Sequence, residues 1–246
     1  MIDLKKTSGL DLKVDEKNFQ LIFGDGLMKV KPEVRMVSQM IDVIRTKKIK
    51  ASEKLYYIYR DIKRKKDTSL FGKYRLRYDF TIIKPGKIGD EFIKTFGHYH
   101  PQGYCEIYEV LHGSALYLIQ KVDFSNLENQ MVKDVFAIKS KAKDKVIIPS
   151  SYGHLTYNIG KEILVEANLL SADFENIYEP IRKAKGEVYF SMADGQFLPN
   201  KNYKNIPPLK IKKPSSLEEL GFRDPLYLAF VKNPQKFSFL RPSRQE

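Results

Sequence analysis

The stretch KTFGHYHPQGYCEIYEVLHG, residues 94–113, decides the reading of this chain. It holds three of the four histidines, His98, His100 and His112, and the fourth, His154, follows in VIIPSSYGHLTYNIG, 146–160. Side chains two apart on a strand lie on one face. A strand ending at TFGHYHP therefore aims His98 and His100 the same way. Glu106 opens the next strand, beyond a turn containing Pro101 and Gly103, and His154 starts another after Pro149. Three imidazoles and a carboxylate suit iron(II), manganese, nickel or zinc better than calcium or magnesium. Four protein ligands also leave room on a six-coordinate ion for a substrate. An isolated H-x-H is common by chance and on an exposed face binds nothing. Here that reading must also explain Glu106, His154 and the lack of histidine elsewhere. His112, in the turn LHGS and outside this spacing, reads as a solvated turn residue.

Outward from this stretch the pattern is all-β. RYDFTIIKPGKIGDEFIKTFGHYH reads as two strands joined at PGKIG, and CEIYEVLHGSALYLIQ as two more joined at HG. DVFAIKS, KVIIPS, LTYNIG and ILVEANLLS follow at similar intervals, each bounded by turn residues. Short strands at such spacing argue an antiparallel sandwich or barrel rather than alternating β/α units. Upstream, in KPEVRMVSQMIDVIR, the residues Val34, Met36, Val37, Met40, Ile41 and Ile44 fall on a helical period, with Pro32 suited to the first turn. This predicts a helix over 32–46. KLYYIYRDI reads as a strand and 61–72 as a basic loop. Beyond 171 come a turn and a final strand in EPIRKAKGEVYFS and a Pro- and Lys-rich crossing segment. SSLEELGF carries a helix-start signal, and DPLYLAFVKNPQKFSFL is apolar enough to dock, on this subunit or on a partner. The expected organisation is an N-terminal arm with a helix (1–50), a barrel (51–210) and a C-terminal extension (211–246).

Composition narrows the function classes. The chain has 246 residues, 42% of them hydrophobic, with 15 Phe and 15 Tyr, enough for a substantial core. No apolar run approaches the ~20 residues that span a bilayer, so no membrane partner is expected. MIDLKKTSGLDLKVDEKNF has no apolar leader region, so a secretory signal is not expected either. The single cysteine, Cys105, allows no internal disulfide and fits a reducing, cytoplasmic setting. The net charge of +13 would suit an anionic partner. Its densest runs, RDIKRKKD and KSKAKDK, read as solvated loops. No nucleic-acid-binding pattern accompanies them, so no nucleic acid is expected.

GHYHPQGYCEIYEVLHG followed by VIIPSSYGHLTYNIG resembles the two halves of the cupin signature. More narrowly, the chain looks like the cupin-type glucose-6-phosphate isomerases of archaea and some bacteria. The resemblance spans roughly 56–189 and is strongest in RYDFTIIKPGKIGDEFIKTFGHYHP, 77–101. It implies an all-β cupin fold, a double-stranded β-helix or jelly-roll barrel, and a homodimer. It also implies metal-dependent interconversion of glucose 6-phosphate and fructose 6-phosphate through a cis-enediol, in glycolysis and gluconeogenesis. One divalent transition metal is implied, Fe2+ foremost, with Mn2+, Ni2+ and Zn2+ as alternatives.

Position by position, the resemblance places metal ligands at His98, His100, Glu106 and His154. Glu106 is also the implied catalytic base that moves a proton between C1 and C2, which a carboxylate does well when its pKa matches the task. A hydride shift is the older alternative. Thr81, Thr95 and Gly97 are the implied phosphate contacts, with Lys94 and the basic balance helping to attract the substrate. Tyr56, Tyr108 and Tyr178 are the implied tyrosines beside the sugar. The plainer reading keeps Thr81 and Thr95 as β-branched strand residues and Tyr56 and Tyr108 as core rings with a wet end. The chain departs from the family in SADFENIYEP. Asp173 and Tyr178 persist, but Asn176 stands where the family carries a histidine thought to help open the sugar ring, and Leu170 replaces a tyrosine. Asparagine can hydrogen-bond but cannot shuttle a proton. A non-catalytic sugar-phosphate-binding cupin, an isomerase of another phosphosugar and a different metal-cupin chemistry therefore stay open. The run PGKIGDEFIKTFGHYHP argues against the last.

Overall fold

The computed structural model describes residues 1–46, 50, 52–214 and 223–242. In chain order its elements are β1 (Ile2–Asp3), α1 (Lys5–Ser8), β2 (Leu12–Asp15), β3 (Gln20–Phe23), β4 (Glu33–Met36), α2 (Val37–Met40) and β5 (Lys54–Tyr59). Next come α3 (Thr68–Tyr74), β6 (Leu76–Ile83), β7 (Lys87–Ile88), β8 (Glu91–Phe92), β9 (Glu106–His112), β10 (Ser114–Asp123), β11 (Met131–Lys141), β12 (Lys145–Ile148), β13 (Gly153–Asn158) and β14 (Leu164–Ser171). The chain continues through α4 (Glu179–Lys183), β15 (Tyr189–Ser191), β16 (Phe197–Pro199), β17 (Lys210–Lys212) and α5 (Leu226–Lys232).

Two sheets form the barrel. One has the order β12-β9-β14-β6-β5-β4, the other β13-β10-β11-β17. Their pairings are antiparallel except for β17, which joins β11 in parallel. The inner faces meet through one apolar cluster that takes Tyr56, Ile83, Tyr108 and Val110 from the six-stranded sheet and Tyr117, Ile119, Leu155 and Tyr157 from the other. Together they make the cupin barrel.

Alternation along β6 and β14 sets everything else. On β6, Leu76, Tyr78, Phe80 and Ile82 point outward into a second apolar cluster, while Ile83 joins the inner one. Val165, Ala167 and Leu169 of β14 go outward in the same way. Both faces are therefore covered, so all eight residues of β14 are buried, including the inward-facing Glu166 and Asn168. Segments at both ends of the sequence cover the outer face. Leu4, Leu12, Val14 and Leu21 come from the N-terminal segment, and Leu226, Tyr227, Phe230 and Phe237 from the C-terminal one. Burying each such side chain stabilises the fold by roughly 1.5–3 kcal/mol. DPLYLAFVKNPQKFSFL thus docks on its own subunit. Phe230 lies 4.7 Å from Phe71 and Tyr227 lies 5.4 Å from Tyr78, ring to ring. The buried Glu109 carboxylate accepts from Leu226 N–H at 2.8 Å, and Tyr227 O–H donates to Asp67 at 2.7 Å.

Three local expectations change. The helix expected over 32–46 is instead strand β4 followed by the single turn α2. Val34 and Arg35 pair with Tyr57 and Tyr56, and a sheet edge that supplies hydrogen bonds and packing outweighs a weak helical period. The basic loop 61–72 instead contains a 3-10 turn at Lys65–Asp67 and most of α3, whose Phe71 anchors α5. The strand expected through EFIKTFGHYH shrinks to β8, and 94–99 attaches through isolated bridges to Tyr157, His154 and Ile177. SSLEELGF lies outside the described residues. No helix among them is long and apolar enough to cross a membrane.

Candidate active site

The segment 94–100 hangs its histidines on β13. Thr95 N–H donates to Thr156 O at 2.9 Å, and His98 exchanges backbone bonds with His154 at 3.1 and 3.0 Å. Gly97 allows both contacts. It sits at φ 82°, and a Cβ there would meet Ile181 Cδ1 at 3.0 Å and Leu155 Cβ at 3.2 Å. Only glycine takes that conformation without strain.

His98, His100, Glu106 and His154 converge, each offering one ligand atom, with all four atoms within 4.8 Å of one another. The Nε2 atoms of His98 and His100 are 3.2 Å apart. Glu106 Oε2 lies 3.2 Å from His100 Nε2 and 3.0 Å from His154 Nε2. Its other oxygen accepts from Asn168 Nδ2. Burial pushes His98 well below its ordinary pKa, helped by its neighbours His154 and His100, and burial also lowers His154 against the pull of Glu106. Burial alone would raise Glu106, but hydrogen bonds and charge from His100 and His154 outweigh it and hold the carboxyl well below its ordinary range. Three imidazole nitrogens and a carboxylate oxygen thus converge on one point. Glu106 Oε2 is buried against the ring nitrogens of His100 and His154. A divalent cation at that point satisfies all four groups, so the donor set fits a transition metal. The outer nitrogens of His100 and His154 are buried and unpartnered among the described residues. His112 stands apart, closing β9 with Nε2 3.2 Å from Glu162.

The cluster opens on a small, partly enclosed cavity with about 60 Å³ of free space. Thr81, Thr95, Gly97, Tyr56, Tyr108 and Tyr178 all line it. Tyr108 O–H lies 3.1 Å from His154 Nε2. The Tyr56 phenol oxygen accepts from Phe96 N–H at 3.1 Å. Sheet register explains the floor. Thr81 lies opposite Glu166, Asp79 opposite Asn168, Arg77 opposite Leu170, and Leu170 opposite Glu106. Alternate positions of three strands therefore carpet one face with polar groups.

Several of these residues escaped the sequence reading. Arg77 Nε lies 3.0 Å from Asp79, and Arg60, read as part of a solvated run, reaches the same carboxylate at 3.5 Å and Glu33 at 2.7 Å. Arg35 lies with its guanidinium 6.0 Å from the Tyr56 ring centre. All three arginines line the cavity. Glu166 also faces it; Tyr117 O–H donates to its Oε2 at 2.7 Å. Burial pushes this carboxyl up to about 8, against bonds from Tyr117 and Thr156. Glu33 and Asp79 partly offset the three guanidiniums, and a protonated Glu166 adds no further negative charge. The signal was present in the alternation of Arg77, Asp79 and Thr81, and of Glu166 and Asn168, through otherwise apolar strands.

Residues 33–208 match the glucose-6-phosphate isomerase (GPI) family. The chain belongs to this family. A glucose-6-phosphate isomerase of Sinorhizobium medicae is 32% identical over 122 residues, which cover 49% of this chain and 53% of that protein. One of Pyrococcus furiosus is 30% identical over 107 residues, 43% of this chain and 52% of that protein. The chain thus spans about half the length of the curated relatives it matches. Among solved structures, an oxalate decarboxylase from Bacillus subtilis is 18% identical with a TM-score of 0.36, covering 50% of this chain and 27% of that one. That likeness is too slight to bear on function.

Two residues at which the sequence departs from the expected family pattern also line the cavity. Asn176 lines the cavity and its Nδ2 donates to the Tyr178 phenol oxygen at 3.3 Å, while its Oδ1 is buried with no partner among the described residues. Leu170 leaves an apolar patch beside Glu106. Lys94, expected to draw in the substrate, instead lies inside the core. Its ammonium sits 2.6 Å from both Glu91 and Glu187 and 4.9 Å from the Phe190 ring centre. It cannot reach a phosphate. The positive wall of the cavity comes from the arginines.

Proposed function

We propose that the protein is a metal-dependent aldose–ketose isomerase acting on glucose 6-phosphate and fructose 6-phosphate. The observation that carries this reading is the convergence of three imidazoles and Glu106 in the cavity that also gathers Thr81, Thr95 and Gly97. His98, His100, Glu106 and His154 would hold the cation, with iron(II) favoured. A bound divalent metal supplies Lewis acidity to the sugar's carbonyl and hydroxyl oxygens. Glu106 takes the proton from C2 of the aldose and returns it to C1, and Asn168 steadies its second oxygen. The hydroxyls of Thr81 and Thr95 and the Gly97 N–H would meet the phosphate, whose charge Arg35, Arg60 and Arg77 offset. Tyr56, Tyr108 and Tyr178 wall the sugar. Cytoplasmic location and a homodimer accompany this reading; size-exclusion chromatography with light scattering tests the latter.

A second reading, a sugar-phosphate-binding protein without turnover, draws on Asn176 and Leu170, which remove a proton shuttle and a hydroxyl from the wall. A coupled assay separates the two. The protein is stripped with chelator, reloaded with iron(II), manganese, nickel or zinc, and given fructose 6-phosphate, with glucose 6-phosphate read by a dehydrogenase. Metal-dependent turnover that Glu106→Gln abolishes supports the isomerase. Metal and sugar-phosphate binding without turnover supports the binding protein.

A further inference from the structure

The C-terminal segment lies beyond the residues matched to the family, yet it reaches the back of the metal site. Leu240 is fully buried and its carbonyl accepts from Cys105 N–H at 3.3 Å, one residue before Glu106. Pro242 packs on Gly103, where a Cβ would meet its Cγ at 2.8 Å. Between them Arg241 turns to the loop 172–178. Its Nη2 lies 2.8 Å from Asp173 Oδ2, and its Nη1 donates to Tyr74 O at 3.3 Å. Arg75 Nε holds the other Asp173 oxygen at 2.7 Å. The next residue, Phe174, packs its ring tilted against that of His100 at 4.6 Å and that of Tyr104 at 4.7 Å, centre to centre. The far end of the loop is pinned where Ile177 exchanges backbone bonds with Tyr99 at 2.9 and 2.8 Å, and it carries Asn176 and Tyr178 into the cavity.

We infer that Arg241 is a positioning residue: through Asp173 it clamps the loop 172–178, so that Phe174 fixes the His100 ring and the Asn176–Tyr178 wall keeps its place. This rests on the reading of His100 as a metal ligand. Without the clamp the loop is tied near residue 177, by the half-exposed Arg75 side chain, and at its start by Ala172 N–H on Arg75 O at 2.9 Å and Asp173 N–H on Ser171 Oγ at 3.1 Å. The loop would then open more often, and His100 would lose the ring that restricts its rotation.

The test uses the full chain with Arg241→Ala, Arg241→Lys and Asp173→Asn. Hydrogen exchange of 172–178 should rise roughly tenfold in Arg241→Ala, the scale of one part-buried charged hydrogen bond, with β9 and β10 unchanged. Transfer of loaded manganese to a chelator should quicken several-fold, KM for fructose 6-phosphate should rise more than kcat falls, and Arg241→Lys should recover part of each effect. Unchanged exchange in 172–178 overturns the clamp. Faster exchange with unaltered manganese release overturns the positioning role and leaves a structural clasp. If Arg241→Ala does not fold, Asp173→Asn, which weakens the same contact, carries the same readouts. A wild-type protein that binds no metal at all would instead sink the isomerase reading, while the exchange measurement would still judge the clamp.

Discussion

Replacing Glu166 by Gln should change how stability depends on pH. Glu166 is fully enclosed between the sheets, with Tyr117 O–H donating to it at 2.7 Å and Thr81 as its neighbour on β6. Burial raises its pKa from 4.5 to about 8, and the Glu106 charge adds to this. The folded protein therefore keeps this proton up to about pH 8, whereas the unfolded chain releases it above 4.5. Stability from this group is complete below pH 4.5, falls as pH rises, and levels off above about 8. The slope is about 1.4 kcal/mol per pH unit, so wild type should lose about 2.5 kcal/mol from this group between pH 5.5 and 7.5. Glutamine keeps the shape, accepts from Tyr117 and has no proton to lose. Urea unfolding of chelator-treated wild type and Glu166→Gln at pH 5.5, 6.5 and 7.5 reads the difference directly, because every other titrating group is common to both. The variant should gain on wild type by that amount across the range, with equal m-values. Parallel stability curves would refute the argument and mean that Glu166 is ionised in the folded protein.

Arg77→Gln should raise KM for fructose 6-phosphate at least about tenfold and flatten its salt dependence, because charged hydrogen bonds contribute roughly 1.5–3 kcal/mol. An unchanged KM would show that the phosphate is held without it. Lys94→Ala should destabilise the fold by about 3–5 kcal/mol, because it strands Glu91 and Glu187 as buried charges. In urea unfolding that loss marks a core role, whereas a raised KM at unchanged stability would return Lys94 to the substrate.

The candidate metal ligands were legible because two physical regularities pointed to them at once, the two-residue period of His98 and His100 and the rarity of histidine elsewhere. The strand order was half legible. Period and turns announced strands from Leu76 onward, but Val34, Met36 and Val37 carried a helical spacing that a sheet edge at Tyr56 and Tyr57 overrode. Local preference amounts to tenths of a kcal/mol per residue, and a strand partner outweighs it. Arg60 was misread for a related reason. Arg60 belongs to a basic run in sequence, but its side chain crosses to Asp79, a residue on another strand.

By itself the sequence determined the all-β pattern, the candidate ligand set and the family resemblance, because these depend on residue type and short-range spacing. Only the tertiary structure decided that Lys94 is core and Arg77 is cavity wall. It alone showed that Glu166 and Asn168 stand on the floor beside Glu106 and that the C-terminal segment closes behind His100. Each of these depends on which strands become neighbours. Pairing β6 with β14 and β14 with β9 sets Thr81, Glu166 and Glu106 on one face, and nothing local to any of the three strands encodes that register.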